Sequence, residues 1–180
     1  MLACVTSPNL SPTHPQSSSG DQAALAPRTI GILGSGIMGA GIAEVFASSG
    51  HSVVLRSRTP ESASDALRTL TANLEKQVQR GRLEAQRKID ILALCTTTTQ
   101  LEDLKACDVV IESVVEDIET KITLFAELDS LLPATTILAS NTSTLPIIEL
   151  ARSTQRPDKV CGIHFFNPAT TMSLVEIVRP

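Results

Sequence analysis

Apolar residues are distributed along the chain in two alternating textures. Short, nearly unbroken runs at residues 29–33, 52–55, 94–98, 109–113, 136–139, 160–164 and 174–178 have the length and β-branched content of buried strands. Between them, apolar positions recur every three or four residues. That spacing predicts helices over 37–49, from Pro60 through Leu67, Leu70, Leu74 and Val78, over 83–93, over 118–132 and over 146–152. Pro60 suits a first helical turn, and Pro133 ends the helix before it. Strands separated by helices predict an α/β fold, a Rossmann-type, doubly wound, mostly parallel sheet covered on both faces. No internal repeat interrupts the pattern.

The first strand runs directly into Gly34-Ser35-Gly36-Ile37-Met38-Gly39 and then into a helix rich in small residues. Gly34 permits a tight turn, Gly36 leaves room for a pyrophosphate, and Gly39 lets helix and sheet approach. The helix N-terminus offers free N–H groups to the anion. Such a triplet alone is also found in ordinary glycine-rich turns; the strand before it and the helix after it favour dinucleotide binding, with Ile37 and Met38 alongside the ligand. An acidic residue commonly ends the second strand of such folds, holding the adenine ribose. Here the strand ends Leu55-Arg56-Ser57-Arg58. Ser57 and Arg58 can hydrogen-bond and neutralise a ribose 2′-phosphate, so the pattern leans toward NADP(H). The plainer alternative is that both arginines lie on the surface and NAD is used.

Composition narrows the class. A chain of 180 residues with 42% hydrophobic content supports one packed domain. A net charge of -4 argues against a nucleic-acid partner, and no apolar run reaches membrane-spanning length. Residues 1 to about 27 are Pro/Ser-rich and read as a flexible tail, with His14 solvated, preceding a domain over 28–180. The start of the chain lacks the pattern of a signal peptide. Cys4, Cys95, Cys107 and Cys161 have no metal-ligand or CxxC spacing and read as thiols in a reducing compartment, which together with the start predicts a cytoplasmic protein.

The candidate chemistry lies near the C-terminal end. His164 closes an apolar strand and is followed by Phe165-Phe166-Asn167-Pro168, while Glu176 is the only charge within Leu174-Val175-Glu176-Ile177-Val178. Carboxyl ends of parallel strands are where such folds bind ligands. A histidine there can take a hydroxyl proton if a carboxylate fixes its tautomer. Burying Glu176 unpaired would be costly, which makes it the expected partner. Alone, His164 would read as a structural histidine.

Together Gly34–Glu44, Val109–Glu116, Ser140–Ser143, His164–Pro168 and Leu174–Val178 resemble the NAD-binding domain of the L-3-hydroxyacyl-CoA dehydrogenases, including 3-hydroxybutyryl-CoA dehydrogenases. The resemblance spans about Arg28 to Pro180. It implies reversible oxidation of an (S)-3-hydroxyacyl-CoA in fatty-acid metabolism, with NAD or NADP taking the hydride. It implies His164 as general acid/base, Glu176 as its orienting carboxylate, and Ser143 and Asn167 as polar groups around the substrate oxygen. Glu116, Lys121 and Asn141 fall at cofactor-side positions. Ser143 can alternatively cap the following helix, and Glu116 and Lys121 can belong to a solvated first helical turn. Ser57 departs from the family's acidic residue. The family's C-terminal helical domain, which covers the acyl-CoA and forms the dimer, has no counterpart here. Two further readings therefore remain: a truncated NAD(P)-binding module, and a dehydrogenase of non-CoA 3-hydroxy acids.

Overall fold

The computed structural model describes residues 28–180; the expected tail, His14 and Cys4 lie outside the described residues. Strands β1 (Thr29–Leu33), β2 (Ser52–Arg56), β3 (Cys95–Thr98), β4 (Val109–Glu112), β5 (Ile137–Ser140), β6 (Val160–Phe165) and β7 (Val175–Val178) form one sheet in the order β3-β2-β1-β4-β5-β6-β7. The helices are α1 (Ile37–Ser48), α2 (Pro60–Gln79), α3 (Ala85–Ala93), α4 (Ile118–Leu131) and α5 (Ile147–Arg152). Strands β1 to β6 are parallel. The order reverses between β1 and β4, and that crevice is where a doubly wound sheet receives its ligand.

Successive strand residues point to opposite faces, and both faces are buried. Ile32, Ile111 and Ala139 join Ile42, Leu70, Leu74 and Phe165 on one side of the sheet. Their strand neighbours Leu33, Val110 and Leu138 join Phe125, Leu128 and Leu150 on the other. This two-sided burial is why the strands read as unbroken apolar runs.

The helix starts follow local chemistry. Thr59 and Ser62 form a reciprocal capping box ahead of α2, with Pro60 in its first turn. Asp117 accepts the Thr120 N–H at 2.9 Å and caps α4. Leu67, expected on the buried face of α2, is exposed instead; the buried stripe is Ala63, Ala66, Leu70 and Leu74. With alanines at 63 and 66 on the buried side, the stripe is rotated away from Leu67.

The last strand departs from the parallel pattern. β7 runs antiparallel to β6, pairing Gly162 with Val178, Ile163 with Ile177, His164 with Glu176 and Phe165 with Val175. The link between the two strands contains no crossover helix, and a parallel return would require one. β7 is exposed at every residue. Among the described residues no helix is long and apolar enough to cross a membrane.

Candidate active site

The glycine loop is shaped by close backbone approach. Gly34 sits at φ +105°, and a side chain there would strike the Ser113 carbonyl. A Cβ on Gly39 would collide with the Gly34 carbonyl oxygen, so the loop folds directly over the first turn of α1. Gly36 differs: a Cβ there would meet nothing within 4 Å, because the residue faces a cavity of about 780 Å³. No side chain caps α1, and no acidic residue lies in its first turn. The cavity thus opens on uncapped helix N–H groups over a glycine with free space, as a pyrophosphate requires. Ile37 stands 81% exposed at the start of α1, and Met38 is half-buried against the core.

The far end of the cavity is lined by Arg56, Arg58, Thr59 and Ser62, and its opposite wall by Ser113, Val114 and Val115. Ser57 does not line it. This residue is 1% exposed, and its hydroxyl has no hydrogen-bond partner among the described residues. Alternation along an extended chain turns Ser57 away from the face that Arg56 and Arg58 share. Arg56 lines the cavity instead, and its Nε donates to the Thr99 carbonyl at 3.3 Å.

Beyond the switch point, a buried network ties the ends of β4 and β5 together. Glu112, fully buried at the end of β4, accepts from Lys121 Nζ at 2.6 Å, Ser140 Oγ at 2.6 Å and Val114 N–H at 2.7 Å. Lys121 is 1% exposed and also pairs with Glu116 at 3.1 Å. A solvated first turn is thereby excluded for Lys121: it is a buried strut between two carboxylates. Glu116 accepts from the Thr142 hydroxyl and from the Ser143 N–H at 3.2 Å. Burial alone would raise the Glu116 carboxyl. The hydrogen bonds from Thr142, Lys121 and Ser143, with the Lys121 charge, outweigh that and hold it below the usual carboxylate range.

Ser143 does not cap α5. The turn ahead of that helix is held by Thr142 Oγ1, which accepts from Leu145 N–H at 3.0 Å and Thr144 N–H at 3.3 Å, leaving the Ser143 side chain exposed. Asn141 bridges three strands' ends: its N–H donates to the Glu112 carbonyl at 2.8 Å, and its Oδ1 accepts from Phe165 N–H at 2.8 Å. Its amide lies 3.4 Å from Ser113 Oγ.

His164 and Glu176 face one another across the β6–β7 register, with Nδ1 to Oε2 at 2.9 Å. The Phe166 ring packs against the imidazole, centroids 4.5 Å apart. The expected burial of Glu176 does not hold, since its side chain is 53% exposed against 19% for His164. The pairing holds through strand register rather than through the cost of an interior charge. Asn167 is exposed just past the strand.

Glu112, Thr142 and Arg56 were outside the expectations drawn from the sequence. Glu112 carried a signal of the Glu176 kind, a lone charge closing an apolar strand run.

The family described as 3-hydroxyacyl-CoA dehydrogenase, NAD binding domain, matches residues 29–180. A 3-hydroxybutyryl-CoA dehydrogenase of Clostridioides difficile is 48% identical over 149 residues, covering 83% of this chain and 53% of that protein. The crystal structure of 3-hydroxybutyryl-CoA dehydrogenase from Escherichia coli K12 superposes with a TM-score of 0.83 at 42% identity, over 85% of this chain and 32% of that one. The crystal structure of (S)-3-hydroxybutyryl-CoA dehydrogenase from Ralstonia eutropha has a TM-score of 0.83 at 36% identity, over 86% of this chain and 54% of that one. The chain spans between about a third and about half of the length of these relatives. With its glycine cradle, switch-point cavity and histidine–glutamate pair, the chain belongs to the 3-hydroxyacyl-CoA dehydrogenase NAD-binding-domain family.

Proposed function

We propose that the chain is the dinucleotide-binding, proton-transferring part of a 3-hydroxyacyl-CoA dehydrogenase. The reaction is the reversible oxidation of an (S)-3-hydroxyacyl-CoA, such as 3-hydroxybutyryl-CoA, to the 3-oxoacyl-CoA in fatty-acid metabolism. The observation that carries this reading is the 2.9 Å contact of His164 Nδ1 with Glu176. With Nδ1 engaged, Nε2 is left to accept the proton of a substrate hydroxyl, and Glu176 stabilises the imidazolium that results. A bound nicotinamide supplies the hydride acceptor. In this reading Ser143 and Asn167, both exposed, hold the substrate oxygen.

Gly34, Gly36 and Gly39 with the α1 N-terminus hold the pyrophosphate. Arg56 and Arg58, with the Thr59 and Ser62 hydroxyls, share one end of the cavity, and this supports a preference for NADP(H) over NAD(H). A helical partner domain or a second copy closes the acyl-CoA side. Cys95, Cys107 and Cys161 are free, which supports a reducing, cytoplasmic setting; burial raises all three thiols and leaves them poor nucleophiles.

The exposure of Glu176 favours a second reading, a cofactor-binding module that turns over little by itself, because water at the pair weakens the electrostatic help it gives. One assay separates them: oxidation of NADPH and of NADH by acetoacetyl-CoA, with dinucleotide binding measured in parallel. Turnover supports the dehydrogenase; binding of a dinucleotide without turnover supports the module. Neither binding nor turnover refutes both.

A further inference from the structure

We infer that Glu112 is a positioning residue for the nicotinamide half of the site: it locks the β4–α4 loop and the Asn141–Ser143 turn at one height. The inference rests on the dinucleotide reading above and deepens it.

Three contacts carry it. The Val114 N–H at 2.7 Å belongs to the cavity wall, so Glu112 fixes that wall from beneath. Ser140 Oγ donates to Glu112 at 2.6 Å and in turn accepts the Thr142 N–H at 3.3 Å, which seats the turn carrying Ser143. Lys121 Nζ, also at 2.6 Å, extends the link through Glu116 to the Ser143 N–H. The Glu112 main-chain carbonyl receives the Asn141 N–H as well, and Asn141 holds the Phe165 N–H next to His164. The fully buried carboxylate therefore bonds the backbone directly at Val114 and reaches the Thr142 and Ser143 N–H groups through Ser140 and through Lys121 with Glu116. The side chains at the adenine end of the cavity, Arg56, Arg58, Thr59 and Ser62, make no hydrogen bond to it. A hub placed this way acts on one half of the ligand only.

Hydrogen-bonding capacity and charge can be separated. Glu112→Gln keeps the shape and an acceptor oxygen but turns one donor toward the Val114 or Ser140 side. Glu112→Gln leaves Lys121 paired with Glu116, whereas Glu112→Gln combined with Lys121→Met removes the buried charge pair and leaves the half-exposed Glu116 to its bonds from Thr142 and Ser143. The test measures affinities of the full chain for NADH and for ADP-ribose, which share the same plain adenosine half, so any 2′-phosphate preference cancels in the ratio. Thermal unfolding and the fluorescence of bound NADH are recorded with them.

The expected result in whichever variant folds is an NADH affinity about tenfold lower, the value of one buried hydrogen bond, with ADP-ribose affinity within about twofold of wild type. The bound nicotinamide's fluorescence falls with it. An unchanged ratio of the two affinities, with wild type binding NADH, overturns the positioning role alone. Equal losses for both ligands that track a lower melting temperature also overturn it, since they report a structural role only. Where wild type binds only the 2′-phosphorylated pair, NADPH and 2′-phospho-ADP-ribose, the same ratio is read on that pair; a wild-type chain that binds none of the four removes the dinucleotide reading, and this inference with it.

Discussion

Replacing Glu44 by Gln should stabilise the protein, and increasingly so as pH rises. Glu44 lies on the buried face of α1, 3% exposed. Its Oε1 accepts from Gln77 on α2 at 2.6 Å, while Oε2 has no hydrogen-bond partner among the described residues. Burial raises the Glu44 carboxyl above the usual range, and the amides of Gln77 and Asn73 offset this only in part. The folded chain therefore holds the proton more tightly than the unfolded chain, whose Glu44 titrates near the ordinary value. Below that ordinary value both states are protonated and Glu44 costs nothing. As pH climbs through the window up to the raised folded value, the unfolded state binds fewer protons and stability falls, then levels off. An unpartnered buried group of this kind costs about 1–3 kcal/mol. Gln keeps the shape and the acceptor for Gln77, and Asn73 can turn its amide to receive the new N–H.

The assay is urea or thermal unfolding of both proteins at a series of pH values from about 4.5 to 8, reading the difference at each. Opposing carboxylates such as Glu116 and Asp117, whose values are lowered in the fold, cancel in that difference. The variant should match wild type at the acid end and exceed it by roughly 3 to 9 °C at the alkaline end for a domain of this size. A difference that is flat with pH, or wild type the more stable at pH 8, would refute the reasoning.

Two glycines in one motif should fail differently. Gly36 has an extended backbone (φ -71°) and empty space where a Cβ would go, so Gly36→Val should leave the melting temperature nearly unchanged while dinucleotide affinity falls at least about tenfold. Gly39→Ala must push against the Gly34 carbonyl and should lower the melting temperature; equal behaviour of the two variants in calorimetry counts against the cradle. Arg58→Ala should weaken NADPH by about tenfold and NADH by less than about twofold, measured by titration; equal losses remove Arg58 from cofactor choice. In a chain that carries the remaining length of the relatives, His164→Gln should lower kcat at least about a hundredfold with little effect on NADH binding, and near-normal turnover would end its assignment as the base.

The sheet and its helices were legible in the sequence because strands buried on both faces leave unbroken apolar runs, as in Val109–Glu112. The glycine cradle and the His164–Glu176 pair were legible for a related reason: each puts its chemistry at a strand end, where the pattern changes. The stripe of α2 was misjudged at Leu67, because alanine is a weak apolar signal although Ala63 and Ala66 are the residues buried there. Ser57 was misplaced by matching a position while neglecting that neighbours on an extended chain face opposite ways. The link from Glu112 to Lys121 has no periodic signature at all. Nine positions apart, the two meet only after β4, its loop and α4 have closed.

The two rims of the sheet are unlike. β3 ends one side with Cys95 and a run of threonines, half-covered by neighbours. β7 ends the other with Val175, Ile177 and Val178 standing in solvent beside main-chain donors and acceptors that no strand among the described residues pairs. An open apolar edge of this kind is a template on which any extended chain can lay down another strand. At the concentrations used for crystallisation or magnetic resonance, the isolated domain will therefore lose material through strand-to-strand stacking, without unfolding. Its shelf life, more than its melting point, will decide how it can be handled.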